Sequence, residues 1–500
     1  MVWSLKQKQC YEAAKIRWEL VPYTRGRGLD IGCGSEKAFP HFIGVDSNID
    51  EELFGELNRA TGADLIAPAE KLDHLASAQY DFIFSSHLLE HIEDYQAALK
   101  EWWRLIKPGG YLCLYLPHKD LYPRIGQEGA NPDHKHDLCE QDILDVMKDF
   151  GGWELLRNEK RDQDEEYSFF QVFKKLTSKI QRFNFLKAKP AKSCAVIRYG
   201  AWGDAIQMSS VLPALKEQGY HITLYTNPRC WEVMKSNPHV DDVILQDDNQ
   251  VPNSWLHDFW SYERKKYEKW INFSESVEGT WLALPGRPNH GWSLLVRRKY
   301  LNTNYVEFQH DLAGVPYSKP NGKFFPTSEE TVWAKKKLRA IEAWPLMMWA
   351  ISGSSVHKIW PYMDQLFARF LLTYPQGKII TAGGGNETFI ESPWRDEPRV
   401  VKTSGDWSIR EVLTVAQLCD IVVGPETGIL NAMASEQMPK IVLLSHSSHE
   451  NLTRDWTNVQ ALHSQITECY PCHVLHYSFQ YCPRGEFTGT AKCQEDLPVD

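Results

Sequence analysis

Two acidic residues near the start of the chain are candidates for binding a cofactor. Asp30 and Asp46 each end a short apolar run, and Asp30 leads directly into the turn Gly32-Cys-Gly34. Glycines let a backbone pass close to a cofactor because they carry no Cβ. An acid at the end of the following strand, such as Asp46, can accept both hydroxyls of a ribose. The pattern indicates a nucleoside-containing cofactor, with a plain tight turn of an NAD-type domain as the alternative.

A third acid, Asp204, stands just after a second glycine-bearing loop. An apolar run ends at Arg198, and a helix is expected from about Gly203. This placement puts Asp204 at the mouth of a parallel sheet, where α/β folds bind their ligands. The carboxylate suits a general base acting on an acceptor hydroxyl, and it equally suits a charge that complements the helix start. The residues alone leave both interpretations open.

Two groups of residues have the types that bind metals. Four of the 11 cysteines fall near the end of the chain: Cys469, Cys472, Cys482 and Cys493. Four thiolates suit tetrahedral zinc or a rubredoxin-like iron site, with His473 or His476 as a substitute ligand. Disulfides and unligated thiols are the alternatives. A second group, His134 and His136 between Asp133 and Asp137, is explained equally well as a polar loop before a helix.

The elements around these residues alternate between short apolar strands and longer amphipathic helices. One helix is predicted over 94–106, and Lys107-Pro-Gly-Gly110 closes it. Such alternation predicts an α/β fold with parallel, doubly wound sheets. The pattern fades after about residue 160 and resumes near Cys194. We therefore predict a first domain over 1–175, a linker over 176–191, lobes over 192–320 and 321–465, and a cysteine-rich tail over 466–500.

The first domain resembles the class I S-adenosylmethionine-dependent methyltransferases over about residues 25–175. The resemblance is carried by the Asp30–Gly34 turn together with 81–91, which contains Leu-Leu-Glu-His, and with 105–112, which contains Lys-Pro-Gly-Gly. It implies a Rossmann-like fold with S-adenosylmethionine as cofactor. Asp30, Gly32 and Gly34 would line its methionine side and Asp46 its ribose. Asp64 would lie by the adenine, and His87 would meet the cofactor at the end of the fourth strand.

This first domain departs from the family in one element. The helix expected after Gly34 is short and contains Pro40, where the family often has a longer helix. The sequence also names no catalytic base, and methyl transfer depends mainly on positioning and in-line approach. A methyltransferase fold that no longer turns over is the alternative interpretation.

The second half resembles the heptosyltransferase-type enzymes of glycosyltransferase family 9, which have the two-lobed GT-B fold, over about residues 193–490. Four segments match in the family's order: 198–215 around Asp204, Ser352–Pro361 with Lys-Ile-Trp-Pro, Thr381–Glu387 with three glycines, and Val422–Ala434 with Glu-Thr-Gly. The resemblance implies an inverting enzyme that uses a nucleotide-diphosphate sugar. The family usually has Asp where this chain has Glu426 and often His at Asn431, so the donor need not be ADP-heptose.

Each matched segment has a chemical use. Asp204 would deprotonate the acceptor, and Lys358 would neutralise the diphosphate leaving group as its charge develops. The donor side would be formed by Ser354, Glu387, Glu426, Thr427 and Gly428. Among these, Glu387 would reach ribose hydroxyls, and the helix start at Thr427 would offer backbone N–H groups to phosphate. A solvated lysine and a plain glycine turn are the alternative interpretations of Lys358 and Gly383–Gly385.

The acceptor is expected in the amino-terminal lobe of this second enzyme. The stretch 255–305 is rich in Trp, Tyr and Arg, and we expect Arg297 and Arg298 to bind a glycan or another acidic acceptor. A merely structural aromatic cluster is the alternative. Related heptosyltransferase-like proteins carry a terminal cysteine cluster, some with iron, which favours a metal in the tail. The sequence leaves a homo-oligomer open.

Composition sets further limits on function. A net charge of -10 without a long basic run argues against a nucleic-acid partner, because such partners need clustered Lys and Arg. The first residues have no apolar core of signal-peptide length, and no run is long enough to cross a membrane, so we expect a cytoplasmic protein. The predicted function is a bifunctional, glycan-modifying methyl- and glycosyltransferase. The rival functions are a non-catalytic binding or assembly protein and a nucleic-acid-modifying transferase.

Overall fold

The computed structural model describes residues 12–47, 62–184, 190–274, 291–318 and 321–499. The chain divides into two compact units. The first comprises Met1–Lys189 together with Gln246–Lys266, and the second comprises Pro190–Leu245 together with Tyr267–Asp500. Among the described residues, no helix is both long and apolar enough to cross a membrane.

The first unit is built on one eight-stranded sheet with the order β3-β2-β1-β4-β5-β7-β6-β8. Its strands are β1 Gly28–Ile31, β2 Ile43–Asp46, β3 Leu65–Ile66, β4 Tyr80–Ser86, β5 Ile106–Pro117, β6 Trp153–Arg161, β7 Ser168–Lys175 and β8 Gln181–Phe183. Strands β1 to β5 pair in parallel, and β7 runs antiparallel to both β5 and β6. The carboxyl ends of β2, β1 and β4 therefore lie at one edge.

The first unit also contains α-helices, and one short helix that the sequence predicted does not form. They are Glu12–Leu20, Tyr95–Leu105, Glu140–Met147 and Leu256–Arg264. Asp94 begins the second of these, because its carboxylate accepts the Ala97 N–H. No helix forms between Gly34 and Ile43, where the sequence predicted a short one; the segment is a series of turns and bends. Pro40 explains part of this difference, since proline removes a backbone N–H.

The segment Gln246–Lys266 groups with the first unit, although it lies within the stretch predicted as the acceptor lobe over 192–320. The Asp247 carboxylate accepts hydrogen bonds from Arg25 and from the Gly26 N–H, both at 2.9 Å. Tyr262 donates to the buried carboxylate of Glu19 at 2.7 Å. Strand β8 likewise lies inside the predicted linker over 176–191, where it pairs in parallel with β6. Neither contact is visible in the local apolar pattern, because each joins segments that are far apart in the chain.

The second unit contains two all-parallel sheets. The first has the order β11-β10-β9-β12 and the second β15-β14-β13-β16-β17-β18. Its strands are β9 Ser193–Ile197, β10 His221–Thr226, β11 Asp242–Leu245, β12 Lys269–Asn272, β13 Leu346–Ala350, β14 Lys378–Ala382, β15 Val400–Lys402, β16 Ile421–Pro425, β17 Lys440–Leu443 and β18 Val459–Leu462. In relative terms the six-stranded order is 3-2-1-4-5-6, that of a doubly wound Rossmann sheet.

Helices connect the strands of the second unit. They are Trp202–Met208, Leu212–Glu217, Pro228–Met234, Leu294–Leu301, Tyr305–Ala313, Ser328–Ile341, Met363–Thr373, Thr388–Glu391, Ile409–Ala416, Gly428–Ala432 and Lys492–Glu495. The predicted α/β class, with a Rossmann-like domain followed by a GT-B pair of lobes, is confirmed.

Arg410 ties the elements of the second unit together. Its side chain is buried and donates to the Glu330 carboxylate at 2.5 and 2.7 Å. The same guanidinium donates to the Glu232 carbonyl oxygen and to Ser236 Oγ, beside the end of the helix Pro228–Met234. A buried guanidinium is tolerated only when its donors are satisfied. Arg410 thus links the helix Pro228–Met234, which packs with the four-stranded sheet, to the helix Ser328–Ile341.

Candidate functional sites

The first candidate site lies at the carboxyl edge of β2, β1 and β4 and is centred on a buried carboxylate. Asp30 is 2% exposed, and its Oδ2 accepts the Ala38 N–H at 2.7 Å. Burial raises the pKa of Asp30 to about 7. Gly32 follows with φ +77°, and a Cβ there would lie 2.7 Å from Leu88 Cδ2. The turn therefore requires glycine for its conformation and for its close approach to the loop after β4.

Asp46 and Gly34 meet at this same edge, as the sequence predicted for two parts of one cofactor site. The Gly34 N–H donates to Asp46 Oδ2 at 2.7 Å. Burial raises the pKa of the partly buried Asp46, although this hydrogen bond opposes the shift. One carboxylate oxygen thus fixes the glycine turn.

Asp64, predicted beside the adenine, is not brought to the edge where β2 ends. It precedes β3 and stands level with Gly44, whose N–H donates to its Oδ2 at 2.8 Å. Lys37 donates to the same oxygen, also at 2.8 Å, and this hydrogen bond lowers the pKa of Asp64. Its carboxylate stabilises the turn before β2, so it has a structural use in this position.

His87 stands directly after β4, at the predicted edge. It has φ +49°, which is rare for a residue with a side chain, and its backbone N–H donates to the Tyr115 carbonyl oxygen. Its Nε2 lies 2.9 Å from Ser168 Oγ. Burial lowers the pKa of His87 to about 3, so the imidazole is neutral.

Sequence reasoning missed Glu90, which follows Leu88 by two residues. Glu90 is fully buried, both of its carboxylate oxygens are without a hydrogen-bond partner, and burial raises its pKa to about 8. His91 and His134 lie beside it, with ring centroids 4.7 Å apart. Of the loop residues weighed as metal ligands, only His134 joins this group. His136 Nε2 faces the Ile92 and Glu93 carbonyl oxygens instead.

The second candidate site lies in the second unit, where Asp204 stands in the first turn of the helix Trp202–Met208. Asp204 Oδ2 accepts the Ala201 N–H at 2.9 Å, and Oδ1 lies 3.2 Å from Arg198 Nη2. Arg198 is buried at the end of β9. The carboxylate therefore caps its helix and is held by a buried cation. It remains partly exposed, so the general-base prediction and the helix-start interpretation both stay open.

The helix that carries Asp204 packs closely against the helix Gly428–Ala432. A Cβ at Gly203 would lie 2.6 Å from Asn431 Nδ2, and one at Gly428 would lie 3.2 Å from Gly203 N. A side chain at either position would therefore force a neighbouring group to shift. This contact places the loop after β9 against the loop after β16, and so brings Asp204 to the predicted donor segment.

Glu426 is the buried acid of the second site. Its Oε1 accepts the N–H groups of His446 at 2.9 Å and Ser445 at 3.1 Å, and His446 Nδ1 lies 2.5 Å away. Burial acts to raise the pKa of Glu426, but His446 and Lys358 outweigh it and hold that pKa well below its usual range. Glu426 Oε2 and Thr427 Oγ1 are buried without a hydrogen-bond partner. These polar atoms suit a polar ligand.

Lys358 stands in the loop after β13, at the same edge. Burial lowers the pKa of Lys358, while the nearby carboxylates of Glu426 and Asp204 oppose that shift. Its side chain packs on Gly353, where a Cβ would lie 2.6 Å from Lys358 Cδ. The structure thus brings Asp204, Lys358 and Glu426 into one charged group, although they are distant in sequence.

The remaining predicted donor residues lie on neighbouring loops. Glu387 follows β14 and accepts a hydrogen bond from Ser352 Oγ at 2.6 Å. Ser354 is exposed in the loop after β13. Thr427 precedes the helix Gly428–Ala432, which is only five residues long. This short helix has only a small dipole, so it would bind an anion mainly through the backbone N–H groups of its first turn.

Arg297 and Arg298, predicted to bind the acceptor, donate to backbone carbonyl groups, most of them in the tail. Arg297 Nε donates to the Cys472 oxygen at 3.1 Å. Arg298 donates to the oxygens of Pro471 at 3.2 Å, Glu468 at 2.7 Å and Tyr470. These hydrogen bonds hold both side chains beside the tail, and the acceptor role stays a prediction. Part of the aromatic stretch, residues 275–290, lies outside the described residues.

The four tail cysteines line one cavity of about 200 Å³, together with His357 and His476. None of them forms a disulfide. Burial raises the pKa of all four thiols, to about 12 at Cys472 and to about 11 at Cys482. The described residues hold two groups of three ligand atoms within 4.8 Å of one another, Glu90 with His91 and His134, and His357 with Glu426 and His446. Neither group includes a cysteine. The four thiols therefore line one cavity, but their sulfur atoms are not as close together as the ligand atoms of those two groups.

Residues 29–114 match the family model described as a methyltransferase domain. The first unit carries a methyltransferase domain. A curated relative, phosphoethanolamine N-methyltransferase 1 of Arabidopsis thaliana, is 26% identical over 173 residues, which cover 31% of this chain and 33% of the relative. The chain thus spans about a third of that relative's length.

Solved structures similar to the two units were also found. A glycosyltransferase family 9 structure from Veillonella parvula is 16% identical, with a TM-score of 0.44, and covers 55% of this chain and 87% of that one. A SAM-dependent methyltransferase from Archaeoglobus fulgidus is 17% identical, with a TM-score of 0.26, and covers 34% of this chain and 97% of that one. At these identities and scores, neither likeness carries a functional argument.

The buried Asp30 of the methyltransferase domain should make stability depend on pH. Its pKa is about 7 in the folded chain and about 3.9 when unfolded, so the folded state holds the proton over this range. The free energy of unfolding should then fall as pH rises through this window, by about 1.4 kcal/mol per pH unit. Asp30→Asn should remove this contribution, as measured by urea unfolding between about pH 5 and about pH 7.

The exposed Asp73 provides the control for that comparison. Asp73→Asn should keep the wild-type slope of unfolding free energy against pH. Equal slopes in wild type and Asp30→Asn would contradict the raised pKa of Asp30.

Proposed function

We propose that the chain is a bifunctional, glycan-modifying transferase. Its methyltransferase domain would transfer a methyl group from S-adenosylmethionine. Its second unit would act as an inverting, heptosyltransferase-like enzyme that uses a nucleotide-diphosphate sugar. A glycan or a glycosylated molecule would accept the sugar, the methyl group or both. The observation that carries the proposal is that Glu426, after β16, and Asp204, in the first turn of its helix, both act on the charge of Lys358, while Gly203 packs closely against Gly428.

The chemistry of that edge supports sugar transfer. A departing nucleoside diphosphate gains negative charge, and a partly desolvated lysine such as Lys358 stabilises it. Glu426 and Thr427 present buried oxygens without partners, which suit sugar or ribose hydroxyl groups as donors. Asp204 retains exposure, so its carboxylate can accept the proton of an acceptor hydroxyl. Each element of an inverting displacement thus has a residue to perform it.

The edge of β2, β1 and β4 supports methyl-donor binding in the first unit. Asp46 ends β2 beside the Gly34 turn, the position from which a carboxylate accepts ribose hydroxyl groups. Gly32 lets the backbone of the turn pass close to Leu88. His87 is neutral, so it adds no repulsion toward the positive sulfonium of the cofactor. Positioning of this kind is the main requirement for methyl transfer.

Binding of S-adenosylhomocysteine tests the first half of the proposal. Asp46→Ala should weaken binding at least about tenfold, because charge-assisted hydrogen bonds to the ribose are lost. Isothermal titration calorimetry on the full chain measures the change. Asp73→Ala, which removes an exposed carboxylate of the same unit, should bind like wild type. Wild-type affinity in Asp46→Ala would contradict the ribose role, and no binding to any variant would favour a domain without this cofactor.

A panel of nucleoside diphosphates and nucleotide sugars tests the second half. Ligands that bind the folded state raise its melting temperature, so the best of the panel should identify the donor base. Lys358→Ala should weaken that ligand about 10- to 100-fold, since one charged contact to diphosphate is worth about 1.5–3 kcal/mol. The exposed Lys336→Ala is the matched control and should behave as wild type. Equal binding in Lys358→Ala and wild type would contradict the proposal.

We also propose a structural zinc or iron ion at the tail, held by Cys469, Cys472, Cys482 and Cys493, with His476 as the nearest substitute ligand. A metal would favour the thiolate state against burial. Chelation and Cys472→Ser should each lower the melting temperature and the metal content measured by mass spectrometry. Cys194→Ser, in β9 away from the tail, should leave the metal content unchanged. Purified chain without metal and with an unaltered melting temperature in Cys472→Ser would contradict this site.

A further inference from the structure

The methyltransferase domain contains a buried carboxylate that nothing in the protein satisfies. Glu90 is 0% exposed, and neither of its carboxylate oxygens has a hydrogen-bond partner. Its nearest polar groups are imidazoles, with Oε1 3.8 Å from His87 Nδ1 and 3.9 Å from His91 Nε2. These separations exceed a hydrogen bond. A buried polar group without a partner is costly, and therefore indicates a ligand.

Of the imidazoles near this carboxylate, those of His91 and His134 form a set of metal ligands with it. One ligand atom each from Glu90, His91 and His134 lie within 4.8 Å of one another. The two rings meet edge to face at 82°, and Tyr122 packs against the His134 ring on its other side. Two imidazole nitrogens and one carboxylate oxygen on one side of a cation, with further positions left for other ligands, form a common set for divalent transition metals.

The surrounding backbone holds these side chains in place. The Glu90 carbonyl oxygen accepts the Lys135 N–H at 2.7 Å and the His136 N–H at 3.2 Å, so the loop that bears His134 is fixed beside Glu90. His91 Nδ1 lies 3.3 Å from the Asp133 carbonyl oxygen. Donation of one ring N–H to a carbonyl group leaves the other nitrogen, Nε2, with its lone pair toward Glu90. This arrangement is the one that orients metal-bound histidines.

We propose that Glu90, His91 and His134 bind a divalent transition-metal cation within the methyltransferase domain. The cation would neutralise the buried carboxylate and use the lone pairs of both imidazoles. The site lies just after β4 and near the cofactor turn. Leu88 packs on Gly32 of that turn, and Glu90 follows Leu88 by two residues. A second part of the inference rests on the proposed methyl transfer. A hydroxyl oxygen of the acceptor, bound to the cation, would release its proton to solvent more readily. That oxygen would then form a bond to the methyl carbon as the bond from this carbon to the sulfonium sulfur breaks, and S-adenosylhomocysteine would leave.

Electron paramagnetic resonance tests the site by measuring Mn²⁺ binding to the full chain. Mn²⁺ prefers carboxylate and imidazole ligands over thiolates, so the tail cysteines do not compete for it. Wild type should bind Mn²⁺, and Glu90→Gln and His134→Ala should each weaken that binding by at least about 100-fold. Asp133→Asn is the control, because it removes an exposed carboxylate of the same loop and keeps the carbonyl group that faces His91. It should bind as wild type does.

Two results would overturn the proposal, namely no Mn²⁺ binding by wild type, or undiminished binding by both Glu90→Gln and His134→Ala. If those variants do not fold, electron spin echo spectra of His446→Ala with Mn²⁺ decide the question, because this variant lacks a ligand of the second group, His357, Glu426 and His446. Imidazole nitrogen couplings support the site, and their absence overturns it. None of these readouts needs methyl transfer. S-adenosylhomocysteine binding without Mn²⁺ binding would therefore reject the metal site alone, and Mn²⁺ binding without S-adenosylhomocysteine binding would reject the proposed cofactor alone.

Discussion

Both units depend on burying a carboxylate near the carboxyl end of a central parallel strand. Such burial is unfavourable unless N–H groups or cations surround the charge. Asp30 in β1 accepts the Ala38 N–H, and Glu426 after β16 accepts two N–H groups and lies against His446. The outcome differs because burial dominates at Asp30 and raises its pKa, whereas cationic partners dominate at Glu426 and lower its pKa. One unit thus holds an acid that is readily protonated, and the other holds a fixed charge.

These acids also fix the loops that follow the strands. The turn after β1 folds back so that Ala38 reaches Asp30, and Asp46 holds the Gly34 N–H at the same edge. In the second unit the segments after β9 and β16 meet where Gly203 packs closely against Gly428. Ligand contacts in such folds come from loops on a rigid sheet.

The sequence predicted those parts of the fold that depend on local pattern. Apolar runs, glycine turns and acids at strand ends identified the sheets and the edge residues Asp30, Asp46 and Asp204. It could not predict contacts that join distant segments, such as the packing of Gln246–Lys266 in the first unit. The pairing of Glu90 with His134 depends on a loop that hydrogen bonds fix to the Glu90 backbone. Periodicity and composition carry no information on such pairings, and the same holds for the hydrogen bonds of Asp64 with Lys37 and of Arg298 with the tail.

Hydrogen–deuterium exchange of the full chain, with each ligand in turn, tests the central claim of two separate transferase sites. S-adenosylhomocysteine should slow amide exchange in residues 29–46 and leave the second unit unchanged. The best-binding nucleoside diphosphate should slow exchange in residues 352–358 and 426–431 and leave the first unit unchanged. Bound ligands order the amides that they contact. Protection of the same segments by both ligands, or no localised protection by either, would contradict the claim.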